Sequence, residues 1–227
     1  MNWNKIYKEE LFTAKNCYLE CGGYCCNNFF GQYYSILDKN NVVLPMSDDE
    51  YNEYKKHKVD NLKEKKYQIK IKDKEFIFYL LFCNEKGLCN PHQNRPLICK
   101  IYPYIPKVNL EGEVIGFNYA SFMDLFYSAK DKHNCPLVFK DEKRIQDEII
   151  KNLPKLDAKM IFIFILLDKV MEKLKSYFPT NIDKLNQTEL KKFILKFEML
   201  LLTGKVFKKI NIEEIYEDVK NIYGDFL

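Results

Sequence analysis

Eight cysteines are the residues of this 227-residue chain whose type and spacing could do chemistry. They are Cys17, Cys21, Cys25, Cys26, Cys83, Cys89, Cys99 and Cys135. All eight precede the part of the chain that is predicted to be helical, so they form one constellation rather than a random scatter. Thiolates separated by two to four residues in short loops bind soft divalent ions and iron–sulfur clusters, and the spacings within CYLECGGYCC have that reach.

Two other interpretations of the cysteines compete with metal binding. A disulfide framework is disfavoured, because the first 15 residues contain no apolar stretch of signal-peptide length and cytosolic thiols stay reduced. Packing as small hydrophobic residues remains open for Cys83, which follows the apolar run YLLF. It does not account for Cys17–Cys26, where the neighbours include Glu20, Gly22 and Asn27. Metal binding is the favoured interpretation.

The adjacent pair Cys25 and Cys26 raises a geometric question. Gly22 and Gly23 permit a tight backbone path that could bring several sulfurs together. Adjacent side chains point to different sides in most backbone conformations, so we do not expect this pair to bind one ion within an ordinary four-sulfur cage. The pair could lie between two sites, or one member could bridge or pack. Eight sulfurs suffice for two tetrahedral sites, or for one cluster and one zinc.

The pattern CYLECGGYCC … CNEKGLCNPHQNRPLICKIYP … HNCPL resembles the YkgJ-type cysteine-cluster family, a family described as chelating zinc or iron, and the related cluster of flagellin lysine N-methylase. The similarity covers residues 17–136 and depends on the order of the eight cysteines, with Arg-Pro before the seventh. It implies that all eight cysteines are metal ligands. The chain departs from the family pattern in its first spacing, in His92 where an aromatic residue is common, and in Lys100 where arginine is usual.

The resemblance implies two classes of function. In the first, a zinc ion or an iron–sulfur cluster is the reactive centre of a protein-modifying enzyme. That enzyme would be an S-adenosylmethionine-dependent lysine N-methyltransferase, with a lysine of a protein substrate as methyl acceptor. In the second, closed zinc or iron sites supply folding energy to a module without catalytic activity, and the helical part binds a partner. The catalytic residues stay unassigned.

Two residues other than cysteine are candidates for the site. Arg95 could offset the charge of a thiolate centre and donate to sulfur, could be a turn residue before Pro96, or could bind an anion of a cofactor or substrate. His92 lies between Cys89 and Cys99, where an imidazole could replace a thiolate at zinc.

The secondary structure that the sequence predicts around these residues indicates an α+β fold. A cysteine-rich, metal-binding portion of loops and strands is expected over residues 1–136, packed on a helical portion over 137–227. The two portions are expected to form one cooperative unit. A strand followed by a helix is predicted over NNVVLPMSDDEYNEYKKH, with Ser47 and Glu50 spaced as a capping box. A hairpin turning near 72–74 and a strand within 113–122 follow. KIYPYIP is expected to be a rigid connection. Helices are predicted over 156–178, 187–202 and 212–223.

The composition bears on which partners the protein is expected to bind and in which cellular compartment it is expected to lie. Hydrophobic residues make up 47% and charged residues 30%, which is ordinary for a globular protein. The formal net charge of +4 counts every thiol as neutral, and eight thiolates on two divalent ions would bring it to zero, so a nucleic-acid partner is not predicted. The longest apolar run, MIFIFILL, is far shorter than the roughly 20 residues of a bilayer span. We expect a cytoplasmic protein without a membrane partner.

Overall fold

A computed structural model describes residues 1–12, 22–26, 42–57, 63–83, 89, 92–120, 135–177, 184–203 and 205–227. The strands are β1 (Val42–Ser47), β2 (Lys63–Ile71), β3 (Lys74–Cys83), β4 (Tyr104–Val108) and β5 (Val114–Tyr119). The helices are α1 (Trp3–Ile6), α2 (Asp48–His57), α3 (Leu97–Ile101), α4 (Leu137–Lys140), α5 (Glu142–Asn152), α6 (Ala158–Tyr177), α7 (Gln187–Leu202), α8 (Lys205–Lys209) and α9 (Ile212–Phe226). Helices and antiparallel sheets together confirm the α+β class.

The larger sheet has three antiparallel strands in the order β1-β3-β2. The hairpin between β2 and β3 turns at Lys72, whose φ of 53° lies in the left-handed region, and this confirms the predicted turn. Most of β2 is exposed, as expected for its run of lysines, whereas β3 carries the buried residues Phe76 and Leu81.

Alternate residues of β3 face two different sets of helices. Phe78 stacks on Phe162 of α6 with ring centroids 5.8 Å apart, and Phe76 contacts Tyr223 of α9 at 6.5 Å. On the opposite face, Tyr79 stacks on a tyrosine of α2. Since Cys83 lies four residues beyond Tyr79, it belongs to the face that α2 covers.

The smaller sheet pairs β4 with β5 and lies against α6. Its turn contains Gly112, whose φ is +83° and whose Cα lies so close to α6 that an added Cβ would stand 2.9 Å from Cδ1 of Ile161. The segment KIYPYIP, predicted to be a rigid connection, runs from the end of α3 into β4 (Tyr104–Val108), a strand that includes Pro106.

The buried core is continuous and draws on residues from both predicted portions, from Trp3 to Tyr223. Residues 160–165 of α6 are all buried, which confirms the prediction of a helix that is apolar on all sides. Within the described ranges, no helix combines the length and the apolar character needed to cross a bilayer. The division of the chain at residue 136 stays a prediction.

Candidate metal centre

Three other cysteines lie near Cys99. Cys26, Cys83 and Cys89 all lie close enough for their charges to act on the Cys99 thiol. Burial raises the pKa of Cys99 well above its usual value, these three neighbours raise it further, and the Arg95 guanidinium lowers it. The four sulfurs come from three separate parts of the chain. The described cysteines are thiols rather than members of disulfides.

Three of these cysteines lie in described elements, and Cys99 is within α3. Cys83 is the last residue of β3 and pairs with Val42 of β1. Cys26 ends a 3₁₀ turn that follows two glycines with left-handed φ values, Gly22 at 62° and Gly23 at 72°. The amide of Cys26 donates to the carbonyl of Gly23 at 2.8 Å, so the glycines do supply the tight path that the sequence predicts.

The expectation that Cys25 and Cys26 point to different sides is not met. Their Sγ atoms lie 3.8 Å apart. In a tetrahedral zinc site with Zn–S bonds of about 2.3 Å, two sulfurs are separated by about 3.8 Å. The pair therefore has the spacing of two thiolates on one ion, because the 3₁₀ turn brings the two side chains together.

The sulfurs are neighbours but do not form a closed cage. In the part of the chain that the structure describes, no three Cys, His, Asp or Glu side chains are arranged so that they could hold a metal ion as they stand. Cys17 and Cys21 lie outside the described residues. Cys135 is 4% exposed at the start of α4, and its charge acts on Tyr104 of β4.

Glu50 holds the start of the helix that carries Cys99. The predicted capping box is half confirmed, because Oγ of Ser47 accepts from the amide of Glu50 at 3.2 Å. The Glu50 carboxyl group does not complete the capping box. Its Oε1 instead accepts from the amide of Leu97, the first residue of α3, at 2.7 Å. The Tyr7 hydroxyl donates to the same oxygen at 3.4 Å. Burial is the main cause that raises the pKa of Glu50 to about 8, and the hydrogen bonds from Leu97 and Tyr7 oppose it.

Arg95 joins the Cys99 turn to the N-terminal segment. Its guanidinium donates to the carbonyls of His92 at 3.1 Å and Cys99 at 3.5 Å, and to Glu10 Oε2 at 2.7 Å. The predicted turn role of Arg95 agrees with these contacts. His92 Nδ1 lies 3.1 Å from the other Glu10 oxygen, so this ring nitrogen faces a carboxylate.

Lys100, which the sequence analysis named only as a departure from the family pattern, is the other cation at this turn. It is fully buried, and its Nζ donates to the carbonyls of Glu9 at 2.8 Å and Gln93 at 2.5 Å. Burial lowers the pKa of Lys100 to about 8, while the charges of Glu10, Cys99 and Glu50 act in the opposite direction. The available signal was a lysine inside the apolar segment LICKI, directly after a predicted ligand.

Comparisons of the chain with models of protein families, with curated proteins and with solved structures find no match. The similarity to the YkgJ-type family therefore rests on the cysteine pattern alone.

Proposed function

We propose that this chain binds an inorganic centre, a zinc ion or an iron–sulfur cluster, through cysteine thiolates. The ligands of one such site are Cys26, Cys83, Cys89 and Cys99. The observation that carries the proposal is the convergence of these residues from three separate segments around the Cys99 turn. Hydrophobic packing alone would not favour the clustering of cysteines from a 3₁₀ turn, a strand end and a short helix.

The electrostatics of the group support a bound cation. Each of the three neighbouring thiolates would raise the free energy of a thiolate at Cys99, so four thiolates without a counter-charge would repel one another. A divalent ion or a cationic cluster core removes that repulsion and binds the deprotonated sulfurs. Closing the cage requires rotation of the cysteine side chains toward a common point.

Cys17, Cys21 and Cys135 are assigned by resemblance alone. Cys25 is assigned by resemblance and by the 3.8 Å between its Sγ atom and that of Cys26, which is the spacing of two thiolates on one ion.

Purification without added chelator, followed by elemental and acid-labile sulfide analysis, tests the proposal. A brown protein with acid-labile sulfide identifies an iron–sulfur cluster, and a colourless protein with stoichiometric zinc identifies a thiolate zinc site. A folded protein with eight titratable thiols and neither iron nor zinc would overturn the proposal.

Serine substitutions test whether the sulfurs share one site. Cys83→Ser and Cys99→Ser should each lose the same metal equivalent, and the double variant should lose no more than either single variant, because one site can be lost only once. Twice the loss in the double variant would place the two cysteines in different sites. Cys135→Ser is the matched control, since it removes a buried thiol from outside the proposed set and should leave this equivalent in place.

A further inference from the structure

The outer edge of β2 is open along most of its length. β2 is an edge strand of the three-stranded sheet, and residues 63–68 and 70 are all exposed. β1, which forms the other edge, is protected, because five of its six residues are buried or half-buried and one of these is Pro45. Among the described residues, no strand pairs with the outer edge of β2. Such an edge presents backbone N–H and C=O groups to any strand that lies beside it.

The hairpin at this edge carries the net positive charge of the chain. Residues 63–74 contain six lysines and two acidic residues, a formal charge of +4, which equals the formal charge of the whole chain. The other residues of the chain therefore sum to zero. The lysines are Lys63, Lys65, Lys66, Lys70, Lys72 and Lys74.

Carboxylates of the chain neutralise little of this charge. In the part of the chain that the structure describes, Lys72 is the only one of the six lysines within ion-pair distance of a carboxylate, that of Asp225 at 3.7 Å. Glu75, which lies opposite Lys70 on β3, accepts a hydrogen bond from Gln68 instead. The strand therefore retains positive charge that an anionic partner would neutralise.

The lysines of β2 lie on both faces of the sheet. Because side chains alternate along a strand, Lys63 and Lys65 lie on the α6 side, and Lys66 and Lys70 lie on the α2 side. The ammonium groups of Lys63 and Lys65 lie over aromatic rings, which attract a cation without cancelling its charge. The open edge runs between the two rows of lysines. A flat membrane facing one side of the sheet would meet one row, whereas an extended chain beside β2 places its alternate side chains next to both rows.

We propose that the edge of β2 binds an acidic, extended segment of a partner protein, which pairs with β2 as a fourth strand of the sheet. The backbone groups of the edge supply the hydrogen bonds, and the two rows of lysines favour carboxylates on both faces of the added strand. A second copy of this chain does not fit, because pairing β2 with β2 places lysines next to lysines. The proposed metal centre takes no part in this binding, so the two proposals stand or fail separately.

The rival explanation is that the lysines only protect the edge, since charged side chains on an edge strand prevent it from pairing with other chains. A purely protective role predicts that wild type binds no acidic peptide and that a variant with fewer lysines associates with itself. A docking role predicts that wild type binds the peptide and that the same variant binds it more weakly.

The test titrates a fluorescein-labelled peptide with the full, reduced chain at low salt and measures fluorescence anisotropy. The peptide has the repeat Glu-Glu-Val-Thr, so that a strand of it carries glutamates on both faces. One control peptide has glutamine in place of glutamate, and the other has proline in place of valine, which keeps the charge and prevents strand pairing. We expect wild type to bind the glutamate peptide, more weakly as salt is added, and to bind both controls far more weakly. Hydrogen exchange of the β2 amides should slow only with the glutamate peptide.

Lys65→Gln combined with Lys66→Gln removes one lysine from each row. We expect this double variant to bind the glutamate peptide about 2- to 30-fold more weakly, the range for two cross-strand pairs of opposite charge. Lys143→Gln combined with Lys151→Gln is the matched control, because it removes the same charge from exposed positions of α5. This control should bind the peptide as wild type does.

Several results would overturn the proposal. Equal binding of the glutamate and proline peptides would show attraction of charge without strand pairing, and wild-type affinity in the double variant would show that these lysines are not used. Absence of peptide binding by wild type, with self-association of the double variant in sedimentation, would assign the lysines to protection of the edge. Binding of phosphatidylserine vesicles or of oligo(dT) without binding of the glutamate peptide would assign the charge to a lipid or nucleic-acid partner.

Discussion

Replacing Glu50 by glutamine tests whether the carboxyl group at the start of α3 is protonated in the folded chain. Glu50 is fully buried, its Oε1 accepts from Leu97, and its Oε2 has no hydrogen-bond partner among the described residues. Glutamine has nearly the same shape and keeps an acceptor for Leu97. It therefore reproduces the protonated carboxyl group while removing the ionisation.

The sign and size of the effect follow from the pKa of Glu50. That pKa is about 8 in the folded chain and 4.5 for an ordinary glutamate. Between these values the folded chain holds a proton that the unfolded chain has released, so the free energy of unfolding falls as the pH rises, by ~1.4 kcal/mol per pH unit. This stability is complete below pH 4.5 and is lost as the pH rises through about 8. From pH 5 to pH 7, wild type should lose about 2.5 kcal/mol more than Glu50→Gln.

Urea unfolding of the metal-stripped, reduced chain at pH 5, 6 and 7 measures this difference, because metal binding has a pH dependence of its own. Glu172→Gln, on α6, is the control. The hydrogen bond from Lys169 is the main cause that lowers the pKa of Glu172, so its contribution is present above pH 4.5 and is lost only as the pH falls below that value. This variant should keep a slope close to that of wild type between pH 5 and pH 7.

Equal slopes for Glu50→Gln and wild type would refute the reasoning. They would mean that Glu50 ionises in the folded chain as it does in water, and that its burial is not the dominant effect.

Two further substitutions test the packing around α6. Gly112→Ala should lower the free energy of unfolding by ~2 kcal/mol, because alanine is strained at a φ of +83° and its Cβ would meet Ile161 at 2.9 Å. Gly116→Ala is the control, since its Cβ would find only an ordinary contact at 3.6 Å, and equal losses for the two would contradict the argument. Tyr223→Phe should cost about 1 kcal/mol by removing the hydrogen bond from its hydroxyl to the carbonyl of Ala158 at 2.6 Å. An unchanged urea midpoint would show that this bond contributes nothing.

Several local features could be predicted from the sequence because short-range chemistry decides them. The apolar periodicity over 187–202 predicts the helix that the structure shows with the same bounds. The hydroxyl of Ser47 caps α2, and the hairpin turns at Lys72. The residues next to each position in the sequence predict both features. The sequence does not predict the strand Tyr104–Val108, because Pro106 disfavours a strand.

The sequence by itself determined the set of cysteines, the class of ligand chemistry they suit and the elements around them, because spacing and periodicity act over a few residues. Only the tertiary structure decided which groups face one another. It places the Glu50 carboxyl group at the start of a helix 47 residues away, gives Arg95 a carboxylate partner, and directs the buried Lys100 to the carbonyls of Glu9 and Gln93. Burial and charge pairing depend on contacts between distant segments, and no local pattern records them.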